Sequence, residues 1–321
     1  RQKLRKPGLR ERLISILPRY ANWATRFGPL LNLRDRIPGL ADISESVLGL
    51  SARRKLPRWR RDAFRTPRAS GTGQAGEVVL FVDTFNTWFE PENARAAQRV
   101  LEAAGYKVHA AQSADNKRPL CCGRTYLAAG RIDDARQEAR RSLKALEPYL
   151  RGGMKVIGLE PSCLLTFRDE YRALSLGPDA ELLAENAMLL QEFLVAEHDA
   201  GRLKLDLAPI HWKKALVHGH CHEKAFAASA PIAAALALIP QLHVEIAKTG
   251  CCGMAGAFGY EKEHYDLSMQ MAELDVLPAM RGADKDTVII ANGTSCRQQI
   301  ADGAGREPYH IARLFEAALK T

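Results

Sequence analysis

The sequence predicts an α/β fold made of two tandem βαβ-type repeats related by internal duplication. From residue 77 onward, short apolar runs typical of buried strands alternate with longer periodic stretches typical of helices. This alternation occurs twice, and six of the seven cysteines recur at corresponding points of the two halves. Because strands joined through helices pair in parallel, we expect mostly parallel strands covered by helices.

Six segments have the apolar character of buried parallel strands. In chain order they are Val78–Asp83, Lys107–Ala111, Lys155–Leu159, Ala215–Gly219, His243–Ala247 and Val288–Ala291. Among the helices expected between them are two long ones, over Ala180–Glu197 and Tyr260–Met280.

The first 68 residues carry an excess of positive charge. They hold 18 Lys and Arg against 5 Asp and Glu, a net charge of +13, whereas the rest of the chain holds 28 against 32. Prolines break this part into short helical patterns, and a Ser, Gly and Thr-rich stretch follows over Ala69–Gly76. The sequence therefore predicts a basic helical linker over 1–76, a first repeat over 77–206 and a second repeat over 207–321.

Several classes of protein are disfavoured by the composition. We find no run of 18 apolar residues and no signal peptide, so a cytoplasmic protein with reduced cysteines is expected. No nucleic-acid motif accompanies the basic segment, which is expected to dock on a partner domain. The first residue is Arg and not Met, so we expect further sequence before it.

The cysteines form two related sets. In chain order they are Cys121, Cys122 and Cys163, then Cys221, Cys251, Cys252 and Cys296. Each set follows strand ends, which is where parallel α/β sheets bind ligands. Thiolates in this number need a soft partner such as Zn²⁺, Cu(I) or iron–sulfur. Adjacent cysteines suit a cluster, because each can reach a different iron, and the C-x₂-C spacing of structural zinc sites is absent.

Five further side chains near the cysteines have open roles. His218, His220 and His222 flank the first cysteine of the second half, and each is either a ligand, a proton relay or an ordinary hydrogen-bonded histidine. Arg124 and Arg297 follow the cysteine motifs closely. They either offset cluster charge, hold an acidic substrate or form plain salt bridges.

Four strings carry a family resemblance. They are CCGRTYLAAG, HGHCHEKA, TGCCGMAGAFGYEKEHYDLSM and ANGTSCRQQI. They resemble the CCG, or cysteine-rich, domain family, which includes heterodisulfide reductase and the iron–sulfur components of glycolate oxidase, anaerobic glycerol-3-phosphate dehydrogenase and lactate utilisation systems. They look most like the C-terminal region of large bacterial FAD-linked oxidases of the D-lactate or D-2-hydroxyglutarate dehydrogenase type, in which an FAD domain and a ferredoxin-like domain precede two CCG repeats. The basic string LLNLRDRIPGL is similar to the linker that follows their ferredoxin domain.

The resemblance implies an iron–sulfur cluster of the 4Fe–4S type in the second repeat. Its implied ligands are Cys221, Cys251, Cys252 and Cys296, and a second or shared site is implied at Cys121, Cys122 and Cys163. The sequence departs from the family where a cysteine is often found, with Glu160, Gly293 and Thr84 at those positions. We therefore expect one cluster, in the second repeat.

The resemblance also implies a function as an electron-transfer module. FAD on an upstream part would oxidise a D-2-hydroxy acid (D-lactate, D-2-hydroxyglutarate or glycolate), and the module would pass electrons to a quinone or another carrier. No G-x-G-x-x-G motif follows a strand here, so the flavin site is expected outside this chain. The expected partners are upstream FAD and ferredoxin-type domains or subunits, the electron acceptor and the inner face of a membrane, without nucleic acid. A heterodisulfide-reductase-like enzyme and a non-catalytic zinc scaffold stay open.

Overall fold

The computed structural model describes residues 7–65, 69–112 and 118–320. Its helices are α1 (Leu9–Ser15), α2 (Leu17–Ala24), α3 (Gly28–Leu31), α4 (Leu40–Leu48), α5 (Thr84–Trp88), α6 (Pro91–Ala103), α7 (Arg124–Ala128), α8 (Ile132–Arg151), α9 (Pro161–Arg168), α10 (Glu170–Ala173), α11 (Pro178–Asn186), α12 (Leu190–Asp199), α13 (Cys221–Ala225), α14 (Ala230–Leu236), α15 (Tyr265–Glu273), α16 (Val276–Gly282), α17 (Thr294–Ala304) and α18 (Ile311–Ala318). Its strands are β1 (Ala69–Ser70), β2 (Gly76–Phe81), β3 (Tyr106–Ala110), β4 (Lys155–Gly158), β5 (Ala187–Leu189), β6 (Lys214–Val217), β7 (His243–Ile246), β8 (Thr287–Ile290) and β9 (Pro308–Tyr309).

The strands form two sheets with the same central order. In the first sheet the order is β1-β3-β2-β4-β5, with β1 antiparallel and the other neighbours parallel. In the second sheet the order is β7-β6-β8-β9, with all neighbours parallel. The first strand of each repeat, β2 or β6, therefore lies between the two that follow it. This shared order confirms the predicted α/β fold and its duplication.

The chain packs as two compact units. The first contains the described residues of Arg1–Thr25 and Arg60–Asp206, and the second those of Arg26–Trp59 and Leu207–Thr321. Parts of the leading segment thus pack in each unit. The division into a linker (1–76) and two repeats (77–206 and 207–321) stays a prediction. The two units show which residues pack together, and this does not locate the ends of a duplicated repeat.

Equivalent helices begin directly after equivalent strands. After β2, the Asp83 carboxylate caps α5 by accepting from the backbone N–H groups of Phe85 and Asn86. After β6, the His220 ring caps α13 in the same way, with Nδ1 accepting from the His222 N–H at 3.1 Å. Side-chain acceptors at this position satisfy N–H groups that have no partner within the helix.

A second pair of helices also matches between the repeats. Helix α9 follows β4 with Glu160 as its N-cap, and α17 follows β8 with Gly293 as its N-cap. Cys163 and Cys296 occupy the third position of these helices. The matched caps place the distal cysteine of each repeat at the same edge of its sheet, beyond the carboxyl ends of the central strands.

The predicted strands are all present within two residues at each end, but two predicted helices are wrong as continuous elements. The helix predicted over Ala180–Glu197 is divided into α11 and α12 by β5, whose backbone pairs with β4. The helix predicted over Tyr260–Met280 is replaced by a 3₁₀ turn at Phe258–Tyr260 followed by α15 and α16. Strand pairing and packing with distant residues override the local helical pattern here.

Each unit has an apolar core around its sheet. In the first unit, Phe81 at the end of β2 packs edge-on against Phe167 of α9, with ring centroids 4.8 Å apart. In the second unit, Ile289 and Ala291 pack with Met254 and Met280 in a buried cluster that includes two of the cysteines. Across the described ranges, every helix is too short or too polar to cross a membrane.

Candidate metal centre

The four cysteines of the second repeat meet at one edge of its sheet. Cys221 is the first residue of α13, which follows β6, and Cys296 lies in the first turn of α17, which follows β8. Cys251 and Cys252 lie in the loop after β7. Because β6, β7 and β8 are parallel, their carboxyl ends lie on the same edge and bring these loops together.

The sulfur atoms of these residues form a continuous string, in the order Cys221, Cys251, Cys252 and Cys296. The Sγ atoms of Cys252 and Cys296 are 3.5 Å apart. The thiols of Cys221 and Cys251, and those of Cys251 and Cys252, also lie within hydrogen-bonding reach. Cys252 and Cys296 are buried, Cys251 is half-buried and Cys221 is exposed. The string therefore runs from the interior of the second unit to its surface.

The thiols of the string alternate in acidity. Hydrogen bonds from the Cys221 and Cys252 thiols lower the pKa of Cys251, and the Gly253 N–H adds to this effect.

At the inner end, a hydrogen bond from Cys252 lowers the pKa of Cys296, helped by the nearby rings of His220 and His218. The neighbouring thiolates in turn raise the pKa of Cys221 and of Cys252. Full deprotonation of the string therefore requires cations among the sulfurs, which suits a soft metal.

A glycine turn shapes the adjacent-cysteine motif in each repeat. Gly123 and Gly253 have φ of +85° and +82°, a left-handed conformation that suits glycine. Each donates its N–H to the sulfur two residues earlier, Cys121 or Cys251, at 3.4 Å. At Gly253 a Cβ would lie 2.2 Å from a backbone oxygen of α15, so both the turn and the close approach require glycine.

The two histidines nearest the string have different hydrogen bonds. His218 is fully buried, and its Nδ1 lies 2.8 Å from Oγ1 of Thr249. His220 accepts the His222 N–H through Nδ1, so the proton of its neutral ring sits on Nε2. The three histidines do not lie on one strand, because β6 ends at Val217 and the chain then turns into α13.

A buried polar frame holds the start of α13. One carboxylate oxygen of Glu223 accepts from the His220 N–H at 2.8 Å, and the other accepts from Nδ2 of Asn292 at 3.0 Å. Oδ1 of Asn292 accepts from the Ile311 N–H at the start of α18. Burial raises the pKa of Glu223 to about 7. This frame ties α13 to the loop after β8.

Two side chains, those of Lys224 and Asp275, form hydrogen bonds with the loop that precedes the adjacent cysteines. Nζ of Lys224 donates to the carbonyl oxygens of Thr249 and Gly250. The Gly250 N–H donates to Oδ2 of Asp275 at 2.7 Å. The ammonium group of Lys224 therefore fixes the loop and places a positive charge near the exposed end of the string.

The three cysteines of the first repeat also lie together. Cys121, Cys122 and Cys163 are all buried, and Cys122 is within hydrogen-bonding reach of both of the others. Two buried carboxyl groups, Asp83 and Glu160, lie near Cys163. Although a hydrogen bond from Cys122 favours its thiolate, burial and these two negative charges raise the pKa of Cys163 to about 12. The surroundings of this set oppose the ionisation of its thiols.

The matched N-caps explain two departures from the family pattern. In the first repeat, the two caps are carboxyl groups, and burial together with the charge of Glu160 raises the pKa of Asp83 to about 6. In the second repeat, the His220 ring fills the space beside Gly293, where an added Cβ would lie 2.4 Å from Cδ2. A cysteine at residue 293 would therefore collide with His220.

The two arginines near the motifs make structural contacts. Arg124 forms a salt bridge with Glu170. Arg297 is buried and donates to the carbonyl oxygens of Ala291 and Asn292 at 2.8 and 2.7 Å. Arg297 therefore stabilises the turn between β8 and α17.

Several residues of this centre were not singled out from the sequence. They are Asp83, Glu223, Lys224, Thr249 and Asn292. A signal for one of them is present, because Glu223 stands three residues after an N-cap, which is the spacing of a capping box. For the others, the contacts that matter join segments that are distant in sequence, such as Lys224 with the carbonyl oxygens of Thr249 and Gly250.

The fold and the centre define a class of protein: duplicated α/β repeats whose strand ends carry adjacent-cysteine motifs. The model of the cysteine-rich (CCG) domain family matches residues 82–168 and 215–301, which is more than half of the chain. The chain belongs to this family.

The chain is similar to parts of two dehydrogenases and to a lactate utilisation protein. It is 26% identical over 320 residues to a component of the anaerobic glycerol-3-phosphate dehydrogenase of Escherichia coli (strain K12), covering 98% of this chain and 78% of the relative. It is 26% identical over 235 residues to the D-2-hydroxyglutarate dehydrogenase of the same organism, covering 72% of this chain and 22% of the relative. It is 27% identical over 207 residues to the lactate utilization protein A of Bacillus velezensis (strain DSM 23117 / BGSC 10A6 / LMG 26770 / FZB42), covering 61% of this chain and 79% of the relative. The matched region is thus most of two relatives and about a fifth of the third.

Replacing Gly253 by alanine should destabilise the second unit by at least about 3 kcal/mol, because left-handed strain and collision with a backbone oxygen act together. The matched control is Gly256→Ala, since Gly256 has φ of +68° but no atom near its Cβ position. The control should lose only about 1 kcal/mol. Urea unfolding of both variants checks this, and equal losses would contradict the packing argument.

Replacing Asp83 by asparagine should stabilise the protein at neutral pH and not in acid. The folded pKa of about 6 lies above the ordinary 3.8, so ionisation destabilises the folded state progressively between these values. At pH values above the folded pKa, removing that charge should raise the free energy of unfolding by up to about 3 kcal/mol. The lost hydrogen bond from Asn86 subtracts about 1 kcal/mol from this gain. Free energies of unfolding at about pH 4 and about pH 7 test this. The exposed Asp199→Asn serves as control, and an Asp83→Asn effect that does not vary with pH would contradict the account.

Proposed function

We propose that this chain is an iron–sulfur electron-transfer module of an FAD-linked oxidoreductase that oxidises D-2-hydroxy acids. The observation that carries the proposal is the string of four thiols in the second repeat. The string presents soft donors at a sheet edge where parallel α/β folds bind ligands.

The proposed ligands are the four members of the string, Cys221, Cys251, Cys252 and Cys296. Backbone and side-chain groups are suited to hold a thiolate-bound cluster there. The Gly253 N–H points at a sulfur, and the N-terminus of α17 lies at Cys296. Both favour negative charge on sulfur. A bound cluster would accept and release single electrons, which is the chemistry that a flavin enzyme needs to reach a one-electron carrier.

The surroundings favour one cluster, in the second repeat. In the second repeat, the ammonium group of Lys224 and one buried carboxyl group, Glu223, lie near the string. In the first repeat, two buried carboxyl groups, Asp83 and Glu160, lie near Cys163, and Arg118 lies near Cys121. Because a cluster with four thiolates carries net negative charge, the two carboxyl groups beside Cys163 oppose it more than the surroundings of the string do. Cys121, Cys122 and Cys163 are therefore proposed as a weaker second site or as packing residues.

The increase in solvent exposure along the string indicates the side from which electrons would enter or leave the cluster. The inner sulfurs of Cys252 and Cys296 are shielded from water, whereas Cys221 is exposed at the surface of the unit. A partner that docks near the start of α13 would approach the cluster most closely. We assign this side to exchange with a flavin or ferredoxin-type domain or with the acceptor.

The functions named for the relatives support the choice of reaction class. They are dehydrogenases of glycerol-3-phosphate and D-2-hydroxyglutarate and a lactate utilisation protein. The molecules in these names share an alcohol group in a small acid or phosphate. We propose D-lactate, D-2-hydroxyglutarate or glycolate as substrate, FAD on an upstream domain or on a separate chain, a quinone or other carrier as acceptor, and a cytoplasmic location that extends to the inner membrane face.

A zinc scaffold is the second candidate, and one observation favours it. A ring nitrogen of His218 and the sulfurs of Cys252 and Cys296 lie within 4.8 Å of one another, which suits a single ion. Metal analysis separates the two candidates, because only the first contains acid-labile sulfide.

Protein purified without oxygen, or reconstituted with iron and sulfide, should contain several irons and sulfides per chain and little zinc. Replacing Cys252 by serine should remove most of both, because Cys252 lies in the middle of the string. Its visible absorption should no longer bleach reversibly on reduction. The matched comparison is Cys163→Ser, a buried cysteine of the first repeat, which should lose at most the small share of iron and sulfide held at a weaker second site and keep the reversible absorption change. Zinc without sulfide in the parent protein, or full iron in Cys252→Ser, would refute the proposal.

A further inference from the structure

His218 has an uncommitted nitrogen in the interior of the second unit. The side chain is 0% exposed, and its Nε2 has no hydrogen bond of ordinary geometry among residues 7–65, 69–112 and 118–320, although the ring contacts the thiol of Cys296. A buried polar atom without a partner destabilises the folded state. A bound ligand at Nε2 would remove that cost.

The donor atoms next to His218 are two sulfurs of the string. A ring nitrogen of His218 and the Sγ atoms of Cys252 and Cys296 are mutually within 4.8 Å, and the two sulfurs are 3.5 Å apart. Two thiolates on one tetrahedral metal ion stand about 3.8 Å apart when each metal–sulfur bond is about 2.3 Å. The three donors can therefore share a single ion with small shifts of their side chains.

Thr249 lies where its hydroxyl can fix the tautomer of the His218 ring. A metal-bound imidazole ordinarily donates its other N–H to a nearby oxygen, which fixes the tautomer. Oγ1 of Thr249 lies 2.8 Å from Nδ1, and the same hydroxyl can donate to the Ala247 carbonyl oxygen at 3.5 Å. With the hydroxyl hydrogen directed to that carbonyl, Oγ1 accepts from Nδ1–H and the lone pair of Nε2 is left for a metal.

Neither His220 nor the first repeat offers the same donor. Nδ1 of His220 accepts the His222 N–H, so Nε2 carries the ring proton and has no lone pair for a metal. The position equivalent to His218, two residues before the N-cap, is Phe81 in the first repeat, and its ring packs against Phe167. The imidazole donor is therefore a feature of the second repeat.

We infer that Nε2 of His218 would serve as a fifth protein ligand of the cluster, beside Cys252 and Cys296. This inference rests on the proposed function, since it concerns the cluster assigned there. An imidazole is neutral and adds no negative charge to the thiolates, so the reduction potential is higher than with a thiolate in its place. It also makes one iron of the cluster chemically different from the others.

The test compares the protein reconstituted with ⁵⁷Fe and sulfide with His218→Ala, His218→Gln and the exposed control His243→Ala. Mössbauer spectra of the oxidised proteins report every iron, and pulsed EPR of the reduced proteins, with ¹⁵N-labelled histidine, reports nitrogen bound to the cluster. The parent protein and His243→Ala should show one distinct iron and a histidine nitrogen coupling. Both features should be lost in His218→Ala and His218→Gln, and free imidazole should restore them in His218→Ala.

The outcomes separate this inference from the proposed function. Absence of iron and sulfide from the parent protein refutes both. Iron and sulfide at parental levels with an unchanged Mössbauer spectrum in His218→Ala overturns the ligand assignment alone. If His218→Ala does not fold, the His218→Gln spectra and the nitrogen coupling of the parent protein decide whether His218 is a ligand. A parent protein without histidine coupling or a distinct iron overturns the assignment.

Discussion

The contact between four thiols in the second repeat is the constraint on which the rest of the structure depends. Sulfur atoms held this closely cannot all lose their protons unless cations lie among them. The fold nevertheless fixes them, with glycine turns, a capped helix and the buried Glu223–Asn292 pair around the string. Holding mutually repulsive ligands in place is the preorganisation that a metal centre needs, and it is retained at a cost in stability.

The duplication shows how one scaffold supports two different environments. Both repeats use the same strand order, the same glycine turn and a distal cysteine at the third position of a helix. The side chains at the N-caps differ, because Asp83 and Glu160 in one repeat correspond to His220 and Gly293 in the other. These changes replace buried negative charge by an imidazole. We expect this difference in charge to affect the metal affinity of each repeat more than the number of its cysteines does.

Much of this arrangement could be predicted from the sequence, because strand periodicity and the repeated cysteine spacing are local properties. Six of the nine strands of the described residues and the two cysteine sets were predicted in this way, whereas β1, β5 and β9 were not. The interruption of the helix over Ala180–Glu197 could not be, since it depends on pairing of β5 with a strand some 30 residues away in sequence. The approach of Thr249 to His218, and of Gly293 to the His220 ring, also results from tertiary packing. The local sequence pattern does not indicate either contact.

The central claim is that the string binds irons that are bridged by sulfide. Iron K-edge X-ray absorption of the protein purified without oxygen tests it most directly, because the scattering separates sulfur neighbours from iron neighbours. We predict a shell of sulfur around each iron and a second shell of iron beyond it. A spectrum with sulfur or nitrogen neighbours but no iron–iron scattering would show an isolated ion at the thiols and contradict the account.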